Sequence, residues 1–393
     1  MSRLFRSRPN SAKQPGSPQK PISKSPQSEG GSHHSKQQPE TFASTNVNGA
    51  NSSPLPQPPP PARLNPGMPN PLTHKNSGGM PGTRSELDES TSALKCPEIS
   101  YSELGEQKYL GCGEFCNAHQ TTFRGQTVAV KTLKEGKRGQ MSAVVDLERE
   151  MNLMARMDHP NVIRVVAIGR CDDGIPFLCM ELLASVLSAD LPKPAEDVSF
   201  WKRQQAIKRW PLSRAVHVAL GVAQALDYCH NHFSRRYRVF HRDLKPNNIG
   251  FRTDGSVVLF DFGVCRLWDR GANGGNEQPN ERRPMTGMTG SLRYMAPEVA
   301  LEQPYNNKAE VFSFASILWE MASHAKPFNW MDAQLYLDHA CRRGVRPQLP
   351  KKWPTELTTL ITQCWSPLPE ARPGFEEIVP RLIELQPVVS KAK

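Results

Sequence analysis

The distribution of proline divides this chain into two parts. Proline lacks a backbone N–H and fixes one backbone dihedral angle, so a segment crowded with proline cannot build regular helices or a central sheet. Of the 36 prolines in the 393 residues, 16 precede Cys96, where they are mixed with Ser, Gln, Asn and Gly. A segment with so few apolar residues cannot bury enough surface to offset its loss of conformational entropy. The sequence therefore predicts a disordered tail over residues 1–98 and one globular domain over residues 99–388.

Charge and cysteine content argue against several classes of protein. The net charge is +11, but the basic residues are scattered rather than gathered into a stripe with interleaved aromatics, so we expect no nucleic-acid partner. Nine cysteines occur without a CxxC pair or a Cys/His cluster, which indicates reduced thiols rather than disulfides or a zinc site.

Targeting signals are sparse. No apolar run approaches the roughly 20 residues of a transmembrane helix, so we expect no transmembrane segment. We predict a cytoplasmic protein. The basic, Ser-rich start has no acidic residue before Glu29, which is also typical of an organellar transit peptide.

The tail contains one candidate docking motif. In PLPQPPPPAR, Pro58, Pro61 and Arg63 have the PxxPxR spacing that aromatic-lined grooves of the Src-homology type bind in a polyproline helix. A partner with such a Pro-rich-motif-binding domain is one interpretation. A plain Pro-rich spacer is the other.

A glycine-rich hairpin opens the globular part. The segment YLGCGEFCNAHQTTFRGQTVAVKTL predicts three short strands joined by turns. Gly111 and Gly113 fall in the first hairpin, where the missing Cβ lets backbone N–H groups approach phosphate oxygens. An ordinary hairpin turn explains the two glycines equally well. Lys131, at the end of the alternating run VAVK, favours the phosphate interpretation because it adds a positive charge on a strand.

A helix is expected next. Apolar residues recur at helical spacing in VVDLEREMNLMARMDHPNV, which predicts a helix that ends at His159. Glu148 and Glu150 lie on this helix among other charges. Either both belong to a solvated face, or one of them turns inward and pairs with Lys131.

The segment HRDLKPNN, residues 241–248, places four formal charges and two amides between two apolar stretches. A solvated turn has such a composition, and so does a site that holds a metal, a base and a phosphate together. LGCGEF, VAVK and this segment are followed by DFG at 261–263 and YMAPE at 294–298. In order and spacing, the five motifs resemble those of the protein kinase family.

The resemblance covers residues from about 100 to 386 and implies an α+β, two-lobed protein kinase fold. A small lobe with an antiparallel β-sheet and one regulatory helix is expected at about 99–182, and a larger, mainly helical lobe at about 183–388. The resemblance also implies a buried ion pair between Glu298 and Arg372.

Six residues carry the expected catalytic and metal-binding roles, with Lys131 and Glu150 as catalytic residues beside four in HRDLKPNN and DFG. By resemblance, Asp243 accepts the proton of the substrate hydroxyl, and Lys245 lies against the γ-phosphate of ATP. Asn248 and Asp261 match the ligands of Mg²⁺, which prefers hard oxygen donors, with Mn²⁺ as an alternative metal.

The expected ATP site involves both the glycine-rich hairpin and the hinge segment FLCMELL. Lys131 would hold the α- and β-phosphates, with Glu150 as its partner because it stands nine residues before His159. Met180 is the expected gatekeeper, and the backbone groups of Glu181 and Leu183 would bond to adenine. The other residues expected around the nucleotide, whose apolar members are equally typical of ordinary core, are Leu110, Gly111, Cys112, Gly113, Glu114, Phe115, Cys116, Ala118 and Ala129.

The branch of the family follows from the loops. LKP after Asp243, with Lys245 and Ser291, resembles serine/threonine kinases, whereas FSFASILWEM and CWSPLPEARPGF resemble tyrosine kinases and their relatives. Together they resemble the tyrosine-kinase-like group, in particular the Raf-like and mixed-lineage kinases at the head of mitogen-activated cascades. The implied function is transfer of the ATP γ-phosphate to Ser/Thr hydroxyls of protein substrates, in a signalling cascade.

A switch is also implied. Arg242 precedes the catalytic aspartate, as in kinases that are activated by phosphorylation of the activation loop. Thr289 is the favoured phosphorylation site and Thr286 the second, because both precede the segment that receives substrate. Ser291 is assigned to the active site instead.

Three positions depart from the family pattern. Cys116 replaces the third glycine of the phosphate loop, Gly250 replaces the leucine that usually forms the adenine floor, and Glu310 replaces an aspartate that anchors the catalytic loop. The segment after the hinge, ASVLSADLPKPAEDVSFWKRQQAIKRWP, is longer and more polar than usual. An unusual nucleotide pocket is therefore expected. The alternative function is a catalytically weak or inactive kinase-like scaffold that binds nucleotide or partners.

Cys116 is also a candidate reactive thiol. Backbone amides and Lys131 nearby favour a thiolate, which predicts alkylation that bound ATP prevents. A buried, inert cysteine is the alternative.

Overall fold

The computed structural model describes residues 93–194, 196–271, 278 and 280–391. Most of the predicted tail, including the motif at Pro58, Pro61 and Arg63, lies outside the described residues. Within these ranges, no helix combines the length and the apolar composition that crossing a bilayer requires.

The small lobe contains six strands and one helix: β1 Glu98–Ser100, β2 Lys108–Cys112, β3 Cys116–Phe123, β4 Gln126–Leu133, α1 Met141–Met154, β5 Val165–Arg170 and β6 Pro176–Glu181. The strands form one sheet in the order β1-β5-β6-β4-β3-β2. All neighbours are antiparallel except β1 and β5, which are parallel.

The first strand begins one residue before the predicted start of the globular domain. Ile99 is buried in the apolar cluster of the outer face of the sheet, and Glu98–Ser100 pairs in parallel with Ile168–Arg170. The backbone N–H of Lys95 donates to the Ala155 carbonyl at 2.7 Å. The predicted boundary between residues 98 and 99 therefore falls inside a strand, because a single buried side chain and three backbone pairings hold this segment to the sheet.

The central strand β4 separates an apolar face from a polar one. Side chains alternate between the two faces of a strand. Val128 and Val130 are buried in the outer apolar cluster, whereas Ala129 and Lys131 face the other way. Lys131 pairs with Ala118 on β3 and with Leu178 on β6, so its position is held from both sides.

The large lobe is mainly helical. Its helices are α2 Leu187–Asp190, α3 Phe200–Arg209, α4 Leu212–Asp227, α5 Pro297–Ala300, α6 Lys308–Ser323, α7 Ala333–Leu335, α8 Thr355–Cys364 and α9 Phe375–Lys391. Its short strands are β7 Ser185–Val186, β8 Tyr237–Phe240, β9 Ile249–Phe251, β10 Val257–Leu259 and β11 Arg266–Asp269. The strands form two small antiparallel sheets, β10-β9-β7 and β11-β8. The predicted α+β, two-lobed fold is confirmed.

The core of the large lobe is built around α4 and α6. The two helices pack against each other, and α4 also packs against α9. As its apolar composition predicts, α6 is buried around most of its circumference. Helix α4 is followed by a helical turn at Tyr228–His232 and by β8, which leads directly into the loop that contains HRDLKPNN, so the core positions that loop.

A buried ion pair ties α5 to the segment before α9. The guanidinium group of Arg372 donates to both carboxylate oxygens of Glu298, at 2.6 and 2.9 Å, and both side chains are almost fully buried. Arg372 also bonds to the carbonyls of Ser366 and Lys308. The structure thus contains the ion pair that the resemblance implies.

We predict that Glu298→Ala lowers the free energy of unfolding by about 3–5 kcal/mol, because it leaves the Arg372 charge buried without its carboxylate. Urea denaturation followed by circular dichroism measures the loss. Arg282→Ala is the matched control, since it breaks an ion pair with Glu370 that is more than one-third exposed, and should change stability by about 1 kcal/mol at most. Equal losses in both variants would contradict the prediction.

Candidate active site

The side chain of Lys131 meets two carboxylates in the interior of the small lobe. Its Nζ atom donates to both oxygens of Glu150, on α1, at 2.6 Å, and to Oδ1 of Asp261 at 3.2 Å. Glu148, the other candidate on α1, pairs instead with Arg170 in a partly exposed position. The structure therefore brings the predicted pair Lys131–Glu150 together, and it adds the aspartate of the DFG segment to it.

The opposite charges of Lys131 and Asp261 stabilise each other. Burial disfavours the ammonium form of Lys131, but Glu150 and Asp261 outweigh that cost and raise the pKa of Lys131 above its ordinary value. Burial likewise opposes the carboxylate form of Asp261, yet Lys131 holds the pKa of Asp261 below its usual range. At neutral pH, the cleft thus contains a cation suited to phosphate and a carboxylate suited to a metal.

The catalytic loop is anchored by Glu310. One carboxylate oxygen of Glu310, on α6, accepts the backbone N–H of Arg242 at 2.6 Å, and the other lies 2.6 Å from Nε2 of His230. The backbone of Arg242 has a φ of 69°, which a residue with a side chain rarely adopts. The glutamate thus occupies the anchoring position that the family pattern assigns to an aspartate, and it holds a strained turn in place.

Several polar groups converge on Asp243. Its two carboxylate oxygens accept hydrogen bonds from Nζ of Lys245 and, at 3.2 Å, from Oγ of Ser291. The side-chain amide of Asn248 donates to the Asp243 carbonyl at 2.8 Å and to its carboxylate at 3.2 Å. Three residues that the sequence predicts to act with Asp243 therefore lie within hydrogen-bond distance of it.

Gly290 is a functional residue that the sequence reasoning missed. Its φ is +97°, and a Cβ there would lie 2.5 Å from the Arg242 carbonyl and 3.1 Å from Oδ1 of Asp243. A glycine is required because the backbone approaches the catalytic aspartate closely. The signal was its position directly before Ser291.

The side chains of Asn248 and Asp261 suit a magnesium ion. Oδ1 of Asn248 is buried without a hydrogen-bond partner among the described residues, although buried amide oxygens are nearly always satisfied. The backbone carbonyl of Asn248 accepts from the N–H of Phe260 at 3.0 Å, which places Asn248 beside the segment that carries Asp261. An amide oxygen and a carboxylate are the hard donors that Mg²⁺ prefers.

A cleft of about 630 Å³ joins these groups. Its size lies in the range that small-molecule sites occupy in proteins. The glycine-rich hairpin lines one side of the cleft, and the catalytic loop lines the other. The predicted residues on its wall are Cys112, Gly113, Glu114, Phe115, Cys116, Lys131, Glu150, Asp243, Lys245, Asp261 and Ser291.

An apolar pocket continues the cleft behind Lys131. The predicted residues Leu110, Ala118, Ala129, Met180, Glu181 and Leu183 line it. Ile163 and Phe260 line it as well, and the sequence reasoning missed both because nothing in their local pattern separates them from core residues. The backbone N–H of Glu181 donates to the Arg164 carbonyl at 3.0 Å. That N–H is thus unavailable to adenine, and the Glu181 carbonyl and the Leu183 backbone are left as the predicted partners.

Leu183 fills the space that Gly250 leaves empty. A Cβ on Gly250 would lie 2.4 Å from Cδ1 of Leu183 and 3.3 Å from the ring of Phe260. The hinge leucine therefore extends into the position where the family pattern places a side chain at 250. The unusual residue at the floor of the pocket is compensated by its neighbour.

The prediction of a reactive Cys116 is wrong. Its side chain is buried in an apolar cluster with Leu133, Ala143 and Leu147. This burial raises the pKa of the Cys116 thiol to about 11, and Lys131 lowers it too little to compensate. The thiol is therefore protonated at neutral pH and is a poor nucleophile.

The comparison with known proteins identifies the family. The protein kinase domain family matches residues 104–381. The chain belongs to the protein kinase family. Its resemblance to the tyrosine-kinase-like group agrees with its relatives, and members of the family use ATP and Mg²⁺ to phosphorylate proteins.

Two relatives illustrate the likeness. The chain is 29% identical over 288 residues to serine/threonine-protein kinase STY17 of Arabidopsis thaliana. This alignment covers 73% of this chain and 45% of that protein. It is 29% identical over 301 residues to dual specificity protein kinase shkA of Dictyostelium discoideum, which covers 76% of this chain and 53% of that protein. The chain spans about half the length of these curated relatives.

We predict that Gly250→Leu weakens ATP binding about tenfold, because the new side chain forces Leu183 into the adenine pocket and overpacking costs on the order of 1–3 kcal/mol. Titration with a fluorescent ATP analogue measures the affinity. Adding Leu183→Ala should restore most of it. Gly139→Leu is the control, because a Cβ there meets nothing within 4 Å. A double variant that binds ATP no better than Gly250→Leu would contradict the proposed contact between positions 183 and 250.

Proposed function

We propose that this chain is an ATP-dependent serine/threonine protein kinase. The observation that carries the proposal is the convergence of Lys245, Ser291 and Asn248 on Asp243, beside the buried cluster of Lys131, Glu150 and Asp261. The residues around Asp243 suit a general base with a lysine beside it that contacts phosphate. The cluster of Lys131, Glu150 and Asp261 suits the phosphates and the metal ion of a bound nucleotide.

The proposed reaction transfers the γ-phosphoryl group of ATP to a protein hydroxyl. Asp243 orients the Ser or Thr hydroxyl and accepts its proton as the new O–P bond forms and the bond to the leaving ADP oxygen breaks. Lys245 neutralises charge on the transferred group. Lys131 holds the other phosphates, and Glu150 keeps that lysine in place. Asn248 and Asp261 would hold Mg²⁺, or Mn²⁺, and the ion would supply charge that stabilises the phosphates.

The choice of Ser/Thr rests on residues around the base. Lys245 and Ser291 both bond to the Asp243 carboxylate, so this carboxylate is held in a compact polar setting close to the backbone of Gly290. Such a setting suits a short aliphatic hydroxyl. The relatives named above are serine/threonine or dual specificity kinases, which supports the same choice.

The activation loop is proposed to act as a switch. Arg242 donates to the Thr286 carbonyl at 2.7 Å and to Oγ1 of Thr289 at 3.0 Å. Near it, burial and the like charges of Arg149 and Arg242 lower the pKa of Arg266. A phosphate on either threonine would bring about two negative charges to this crowded basic cluster and order the loop. Part of the loop, residues 272–277 and 279, lies outside the described residues.

Three further expectations stand as proposals from sequence alone. They are a docking role for the tail motif at Pro58, Pro61 and Arg63, a cytoplasmic location, and a place in a signalling cascade.

We predict that Asp243→Asn lowers the phosphorylation rate of a Ser/Thr substrate at least a hundredfold, which is about the contribution of a general base. Glu150→Gln should lower it strongly as well, because Lys131 loses an anionic partner. Glu148→Gln, on the same helix but paired with Arg170 near the surface, should keep a rate within about twofold of wild type. Incorporation of labelled phosphate measures the rates. Wild-type protein that binds ATP but transfers no phosphate would support the scaffold alternative instead.

We predict that the double variant Thr286→Ala/Thr289→Ala cannot be activated by phosphorylation, because Arg242 then has no phosphate to bind. Mass spectrometry locates the phosphates, and kinase rates before and after phosphorylation measure activation. Thr359→Ala, on α8 and far along the chain from the loop, should respond as wild type does. Full activation of the double variant would remove these threonines from the proposed switch.

A further inference from the structure

The long segment after the hinge encloses a cavity of its own. Between β7 and the start of α4, this segment forms a cavity of about 420 Å³. None of its lining residues lines the nucleotide cleft or the adenine pocket. The charged side chains on its wall are Asp190, Lys193, Lys202, Arg203, Arg209 and Arg214.

The cavity has a strong excess of positive charge. Five cationic side chains face it, and Asp190 is the one carboxylate among its lining residues in the described part of the chain. That carboxylate is already paired with Arg214, at 3.3 Å. Lys193, Lys202 and Arg209 form no ion pair with another residue that the structure describes.

Arg203 adds a second, independent sign of a missing partner. One of its terminal nitrogens donates to the His324 carbonyl at 3.2 Å. Its Nε atom is buried and has no hydrogen-bond partner among the described residues. A buried N–H donor without an acceptor is costly, so a ligand that supplies an acceptor in this cavity would be favoured.

The buried ring of Trp210 holds one of these cations, Arg214, in place. Trp210 is almost fully buried, and its indole N–H donates to the Asp190 carbonyl at 2.6 Å. The guanidinium carbon of Arg214 lies 4.2 Å from the centroid of the Trp210 ring, in a cation–π contact. Arg214 also donates to the Arg209 carbonyl at 3.1 Å. Arg214 is thus preorganised, which lowers the entropic cost of binding a ligand at this side chain.

We propose that this cavity binds a compact ligand with two or more phosphate groups. The cations come from three elements, with Lys193 in the loop, Lys202, Arg203 and Arg209 on α3, and Arg214 on α4. Their convergence on a concave space suits a small polyanion better than an extended peptide, which needs a groove. Arg and Lys are the side chains that recognise phosphate. A soluble inositol polyphosphate and the headgroup of a phosphoinositide share this chemistry.

Calorimetric titration of the full chain with inositol hexakisphosphate tests the site. Wild type should bind, and Lys202→Gln/Arg209→Gln should bind at least tenfold more weakly, with affinity that falls as salt rises. Lys208→Gln is the matched control, because Lys208 is an exposed cation of the same helix outside the cavity wall. All variants should keep the kinase rate of wild type, since no substituted residue touches the nucleotide cleft. A failure of the binding test is therefore distinct from a failure of the proposed kinase activity.

Sedimentation with vesicles separates the two sources of the phosphates. Binding to phosphatidylcholine vesicles that contain a phosphatidylinositol bisphosphate, lost in the double variant, assigns the site to a lipid headgroup. Binding of the soluble inositol phosphate alone assigns it to a free ligand. The proposal is overturned if neither binds, if the double variant and Lys208→Gln bind equally, or if a doubly phosphorylated peptide binds more tightly than the inositol phosphate.

Discussion

The ammonium group of Lys131, buried between the carboxylates of Glu150 and Asp261, is the interaction on which the rest of the cleft depends. An unpaired buried charge costs several kcal/mol, so Lys131 requires its carboxylates and each carboxylate requires Lys131. Lys131 belongs to the sheet of the small lobe, Glu150 to its helix, and Asp261 to the segment that follows β10. One charge cluster therefore fixes the relation between the sheet, the helix and the proposed metal site, and the apolar adenine pocket lies directly behind it.

In the large lobe, the buried carboxylate of Glu310 fixes the position of the catalytic loop. Glu310 binds the backbone of Arg242 and the ring of His230, so the central helix α6 holds the catalytic loop in a backbone conformation that is otherwise unfavourable. Because the catalytic loop is fixed, Asp243 lies within hydrogen-bond distance of Lys245, Asn248 and Ser291. Glutamate replaces the aspartate of the family pattern, and the anchoring contacts are kept because its longer side chain reaches both partners at 2.6 Å.

The sequence predicted the charged part of the site far better than its shape. The motifs identified Lys131, Asp243, Asn248 and Asp261. The structure brings Lys131, Asp243 and Asp261 to one cleft and buries Asn248 beside Asp243, because these residues stand at set places in strands and turns. The sequence did not predict that Leu183 occupies the space over Gly250, and it left open whether Cys116 is reactive or buried. Both points concern contacts between side chains that are far apart in the chain, and no local pattern records such contacts.

Two kinds of property can thus be separated in this protein. The sequence by itself determined which face of β4 carries the lysine, since strand residues alternate between faces, and it determined the two-lobed kinase fold through five ordered motifs. Only the tertiary structure decided where the cations after the hinge point. In the sequence, these cations belong to a segment that is only longer and more polar than usual. They surround a cavity because the loop with Lys193 and the start of α4 fold back beside them, and such convergence depends on chain packing rather than on residue order.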